Sequence, residues 1–170
     1  MSRILTNIFI LFFLFTNQLI AQENIMILKL KDGDVKIELF EDVAPNHVKR
    51  IKELVKDKFY DGIIFHRVIE GFMAQTGDPD GVGTGGSGKN LKAEFSDYEY
   101  KYGTVGMARS MNPDSGDSQF FICFDGCSHL TGQYTVWGQV VSGMDAVEKL
   151  AIGEPPSNPD KMVTVKLGKK

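Results

Sequence analysis

Residues 65–78 read FHRVIEGFMAQTGD, two short runs of strand-forming residues on either side of Gly71. A glycine flanked by strand residues lets the chain bend sharply. If the two runs pair, Arg67, Phe72, Met73 and Gln75 line one concavity. One permanent cation among apolar side chains is the composition of a binding site. The plainer alternative is an edge-strand arginine that lays its methylenes over core aromatics, and the chemistry of this stretch alone leaves both open.

Upstream of it, Ile25–Lys31 and Asp34–Phe40 alternate apolar and polar residues. Leu28, Leu30, Val35, Ile37 and Leu39 are apolar, with Lys29, Lys31, Lys36 and Glu38 among them. The Asp32-Gly33 pair between the runs suits a tight hairpin. Pro45 then fits the first turn of a helix, and Val48, Ile51, Leu54 and Val55 recur at helical spacing, predicting about three turns with one buried face. Downstream, apolar runs at Thr104–Ala108, Gln119–Phe124, Thr135–Val141 and Met162–Leu167 predict further short strands. A second, shorter helix is expected from Ser142, whose side chain is placed to cap it, to Gly153. Many short strands with glycine-rich turns and only two helices favour a closed barrel or sandwich.

The chain has 170 residues, 42% of them hydrophobic and 24% charged, which suits one globular domain with a real core. A formal charge of −3 with scattered Lys and Arg gives no attraction to phosphate backbones, so nucleic acid is excluded as a natural partner. The N-terminus reads separately. Arg3, the apolar run Ile8–Phe15 and the small residue Ala21 are the parts of a secretory signal peptide. The run is shorter than the roughly 18 residues of a membrane span. Residues 1–21 are therefore expected to be a signal peptide and 22–170 the exported domain, periplasmic or secreted from a bacterium. Cys123 ends an apolar strand-like run, where a buried free thiol is the common state, although export makes a bridge to Cys127 possible.

Other motifs carry little. Gly83–Lys89 has phosphate-loop spacing, but Asn90 stands where a Ser or Thr should be and no helix follows, so a flexible surface loop is expected and nucleotide binding is not. His47, His66 and His129 show no metal-ligand spacing. His66 reads as a core histidine with satisfied hydrogen bonds. Ser115 and Ser118 lack a nucleophile elbow, and Asp78–Asp80 lacks the later ligands of a calcium loop. No metal or cofactor is called for.

FHRVIEGFMAQTGD closely resembles the signature of the cyclophilins, which usually reads FHRVIPGFMxQGGD. GVGTGGSG, TVGMARS, SQFFIC and YTVWGQV follow in the order and approximate spacing of that family, from about Ile25 to Leu167. The resemblance implies a mainly β fold, a closed eight-stranded antiparallel barrel capped by two α-helices. It also implies peptidyl-prolyl cis-trans isomerase activity on proline-containing peptides and folding proteins, by a monomer. By matching positions, Arg67 is the catalytic residue and Phe72, Met73, Phe121 and Leu130 hold the proline ring. Gln75 and the backbone of Arg109 hold the substrate main chain, Ala108 and Gln119 line the groove, and Tyr134 stands at the rim. Glu70 and Thr76 replace the usual proline and glycine, and Arg109 replaces the usual asparagine. His129 stands where many members carry the tryptophan associated with cyclosporin, and Tyr134 where many carry histidine, so weak cyclosporin binding is expected. The altered rim also suits a second reading, a proline-peptide binding module or chaperone with little turnover. A redox protein using Cys123 and Cys127 has only export in its favour.

Overall fold

The computed structural model describes residues 23–169; the expected signal peptide, 1–21, lies outside them. The first hairpin is built from β1 (Ile25–Leu30) and β2 (Gly33–Leu39). Its alternation is the one the sequence predicts, with Leu28, Leu30, Val35, Ile37 and Leu39 buried. The turn is displaced by one residue: Leu30 pairs with Gly33, so Lys31 and Asp32 make the turn and Gly33 opens the ladder with φ +150°.

Helix α1 (Pro45–Lys56) has Pro45 in its first turn and buries Val48, Ile51, Leu54 and Val55, together with His47. Its N-cap residue, Ala44, offers no side-chain acceptor. The open donors of the first turn are instead met by Glu94, whose carboxylate accepts from the backbone of Asn46 (3.1 Å) and His47 (3.0 Å) and from His47 Nδ1 (2.6 Å). Burial by itself would raise the Glu94 pKa, but these donors outweigh it and hold the carboxyl below its ordinary range.

The remaining strands are β3 (Arg67–Ile69), β4 (Met73–Thr76), β5 (Thr104–Met107), β6 (Phe120–Cys123), β7 (Val136–Ser142) and β8 (Thr164–Gly168). All eight strands form one antiparallel sheet in the order β3-β4-β6-β5-β7-β2-β1-β8. The sheet curls around a core in which Phe120 meets Trp137 and Tyr60 edge to face, at 5.3 Å and 5.6 Å between ring centroids.

Two expectations need correction here. The barrel is not closed, because β3 and β8 at its two ends share no ladder. Irregular segments span the gap through the single bridges Ile64–Lys161 and Val68–Gly153 and the backbone bond from Phe65 N to Asp160 O (2.9 Å). Pro155, Pro156 and Pro159 lie in the second segment, and proline has no N–H to give a ladder. The second helix is also shorter than expected. It is one turn, α2 (Met144–Val147), and Ser142 does not cap it but ends β7 opposite Lys36. Gly143 precedes the helix in the left-handed region, φ +92°, where a Cβ would stand 2.2 Å from Asp34 O.

Candidate functional site

The site follows from strand register. On β3, β4 and β6 the inward residues Val68, Ala74, Phe120 and Ile122 belong to the main core. The alternate residues point to the opposite face, where Met73, Tyr100, Phe121, Cys127 and Leu130 build a second apolar cluster. Pairing aligns four of these outer positions in one row across four strands: Arg67 opposite Gln75, Gln75 opposite Phe121, and Phe121 opposite Gly106. Gly106 has to be glycine, since a Cβ there would lie 2.1 Å from Tyr100 Oη and 2.6 Å from Phe121 Cζ. Its absence lets the Phe121 and Tyr100 rings stack, 5.7 Å apart and 20° from parallel.

Above the row opens a pocket of about 120 Å³. Of the ten site residues expected from sequence, Arg67, Phe72, Met73, Gln75, Ala108, Arg109, Phe121, Leu130 and Tyr134 line it. The tenth, Gln119, sits beside it: Gln75 Nε2 donates to Gln119 Oε1 (2.9 Å), and Gln119 Nε2 donates to Gly85 O (2.8 Å). A cleft of about 390 Å³ continues past Gln119 along the glycine loop, and another of about 510 Å³ continues past Arg67 between His66, Val82 and Glu154. Arg67 and Gln75 line both the pocket and the second cleft.

The rim is held by the residues that depart from the family pattern. Arg109 folds over the Tyr134 ring at 4.2 Å and donates to the carbonyls of Gln133 (Nη2, 2.9 Å) and Ser110 (Nη1, 2.9 Å). Tyr134 in turn meets Phe121 edge-on at 5.8 Å. His129 stacks on Phe72 at 5.5 Å, adding to the pocket wall. Leu130 and His129 lie on the 3-10 helix Asp125–Leu130, and that helix is tied down by a disulfide between Cys123 and Cys127. The expected free thiol is thus corrected: after β6 the chain winds back so that the two Cα atoms are 6.0 Å apart, within bridging range.

The glycine loop is on the surface, as expected, but it is not loose. Asp78, 1% exposed, accepts from the backbone of Asp80 (2.8 Å), Val82 (3.1 Å), Gly83 (2.6 Å) and Gly85 (3.1 Å). Burial alone would raise its pKa; the four donors reverse this and keep it below the ordinary carboxylate value. Asp117 holds the far end by accepting from Ser87 Oγ and from the backbone of Gly88 (2.8 Å) and Lys89 (3.2 Å). His66 also differs from expectation. It is 5% exposed, yet among the described residues neither ring nitrogen has a partner, and burial lowers its pKa.

Sequence reasoning missed Glu154, whose Oε2 accepts from Arg67 Nε at 2.6 Å. No spacing pattern links residues 87 apart on a short strand and an irregular loop. It also missed the roles of Gly106 and His129. Among the described residues no group of three or more His, Cys, Asp or Glu side chains converges as metal ligands.

Comparison with known proteins identifies the family. Residues 25–167 match the family model described as "Cyclophilin type peptidyl-prolyl cis-trans isomerase/CLD". A "Probable peptidyl-prolyl cis-trans isomerase" of Brucella suis is 55% identical over 83% of this chain and 81% of its own length. A "Peptidyl-prolyl cis-trans isomerase" of Synechococcus elongatus is 40% identical over 83% of this chain and 94% of its own. Among solved structures, a cyclophilin from Hirschia baltica superposes with a TM-score of 0.79 at 30% identity, covering 85% of this chain and 74% of that one. A cyclophilin-type isomerase of Cryptosporidium parvum, crystallised in the presence of the dipeptide Ala-Pro, gives 0.80 at 27% identity, covering 86% and 99%. Fold, signature and relatives converge: this chain belongs to the cyclophilin-type peptidyl-prolyl cis-trans isomerases.

Proposed function

We propose that this isomerase turns X-Pro bonds by holding the proline ring against Phe72, Met73, Phe121 and Leu130 while Arg67 donates to the twisting amide. Rotation must break amide resonance against a barrier of about 18 to 20 kcal/mol, and no covalent bond is made or broken. What lowers such a barrier is a fixed ring, anchored flanking backbone and a donor that favours the twisted state. As the bond twists, the prolyl nitrogen regains a lone pair. A guanidinium beside it makes an interaction stronger in the transition state than in the planar ground state, at every physiological pH. The Gln75 side chain and the Arg109 backbone would anchor the substrate main chain, with Ala108 and Gln119 along the groove and Tyr134 at its rim.

The observation that carries this reading is the register-aligned row in which Arg67 and Gln75 border the apolar pocket of Phe121. Its test is cis-to-trans conversion of an X-Pro peptide by purified residues 22–170. One charged hydrogen bond is worth about 1.5 to 3 kcal/mol, so Arg67→Ala should lose about 10- to 100-fold in rate. An unchanged rate would assign Arg67 to structure instead.

We further propose export to an oxidising compartment, with substrates among exported folding proteins, and weak cyclosporin binding at the altered rim. Arg3, Ile8–Phe15 and Ala21 support export, and so does the Cys123–Cys127 bridge, of a kind that persists outside the cytosol. Fractionation with N-terminal sequencing should find a chain beginning near Gln22 outside the cytoplasm. Recovery from the cytoplasm with residues 1–21 intact would overturn it.

A further inference from the structure

Arg67 is 39% exposed and sits on a three-residue edge strand, a poor place to keep a long side chain in one orientation. Its guanidinium is nevertheless engaged on one edge, Nε donating to Glu154 Oε2 at 2.6 Å. Among the described residues no other ion pair or hydrogen bond holds that side chain. The carboxylate is itself placed by the strand that carries the arginine. Gly153 and Val68 exchange two backbone hydrogen bonds, Val68 N to Gly153 O (2.8 Å) and Gly153 N to Val68 O (2.9 Å). Each partner of the ion pair therefore adjoins one member of that bridge. Gly153 has φ +151°, and a Cβ there would lie 2.6 Å from Pro156 Cα, so the turn presenting Glu154 is tightly packed. Asp160 anchors the segment further, its Oδ2 accepting from Ala151 N (2.9 Å) and its carbonyl from Phe65 N (2.9 Å).

We propose that Glu154 is the positioning residue of the catalytic arginine. Gripping Nε fixes the plane of the guanidinium while leaving both Nη groups to donate across the pocket. A donor ordered before the substrate arrives costs no reorganisation as the amide twists. The proposal rests on the reading of Arg67 as the donor, and it goes beyond the signature stretch, since Glu154 lies in the loop before β8, where no motif marks it.

The test is kcat/KM for X-Pro peptide isomerisation in the full mature chain, in Arg67→Ala, Glu154→Ala and Glu154→Gln, and in the double variant Arg67→Ala/Glu154→Ala. Glu154 is half exposed, so water weakens the pair and Glu154→Ala should lose about two- to fivefold with an unchanged thermal midpoint. Glu154→Gln keeps an acceptor for Nε and should recover most of that loss. In the Arg67→Ala background the Glu154→Ala loss should vanish, because the carboxylate acts through the arginine. Glu154→Ala equal to the unmodified chain, or an equal loss with and without Arg67, overturns the positioning role while leaving Arg67 catalytic. Full activity in Arg67→Ala overturns the donor reading itself, and the role of Glu154 with it.

Discussion

Replacing Gly106 with alanine puts one methyl group where the site has no room. The added carbon would stand 2.1 Å from Tyr100 Oη and 2.6 Å from Phe121 Cζ, against the roughly 3.5 to 4 Å of relaxed contact, so the two rings must retreat by about 1 to 1.5 Å. Both are closely packed, Tyr100 3% and Phe121 4% exposed. Overpacking of this kind costs about 1 to 3 kcal/mol. The bond from Tyr100 Oη to Thr135 O (3.3 Å) is then also strained or lost, at about 1 kcal/mol. The sum, about 2 to 4 kcal/mol, corresponds to a thermal midpoint lowered by about 5 to 15 °C for a domain of this size. Because Phe121 walls the pocket, kcat/KM should fall by about 10- to 100-fold in whatever folded fraction remains. Gly62→Ala is the control. Gly62, unlike Gly106, has positive φ, +82°, and open space around its missing Cβ. It should show backbone strain alone, about 1 kcal/mol, with activity intact. Calorimetry and the peptide assay on both variants decide the matter. A Gly106→Ala chain that melts and turns over like Gly62→Ala would disprove the claim that this glycine exists to seat Phe121.

Asp78→Ala strips four backbone N–H groups of their common acceptor and should cost about 2 to 5 kcal/mol in urea unfolding, water recovering part of the loss in so open a loop. A loss below about 0.5 kcal/mol would show the loop to be held by other means. Stability should also fall in acid in two stages. Burial depresses the pKa of His47 and His66, so both are neutral when folded, and the unfolded chain takes up their protons first as pH drops below 6.5. Asp78 and Glu94, also depressed, add a second loss as pH falls through and below their ordinary values of 3.8 and 4.5. A thermal midpoint that held steady from about pH 7 to 5 would contradict the histidine stage, and one that held steady from about pH 5 to 2 the carboxylate stage. Isomerase activity should stay level between about pH 6.5 and 8, since the proposed mechanism uses no titrating group and the His66 pKa is lowered by burial; a bell-shaped profile would indicate acid-base chemistry.

Legibility in the sequence tracked regularity of backbone. The alternation of β1 and β2 and the apolar stripe of α1 could be read because each periodicity is set by one element's own geometry. Ser142 misled because its capping chemistry was overridden by a ladder partner, Lys36, that lies in another strand. The open seam between β3 and β8 was hidden for a different reason: closure was inferred from the strand inventory and from resemblance to the family, whereas Pro155, Pro156 and Pro159 in this chain remove the donors a ladder there would need. The disulfide depended on the 3-10 turn after β6, which no apolar period announces.

The site divides along the same line. Arg67, Gln75 and Phe121 are neighbours because antiparallel register places them side by side, and register is a long-range property that local chemistry near Arg67 could not supply. Only resemblance joined Phe65–Asp78 to Phe121 and Leu130, and for Phe121 it did so because strands keep their register when surface residues change. The irregular loops carry no such constraint. Arg109, His129 and Glu154 sit where the backbone leaves the sheet, and each takes its partner, Tyr134, Phe72 or Arg67, from the particular path of this chain. A signature therefore transfers the pocket and its cation. How firmly that cation is aimed, and what the rim admits, has to be read from the fold.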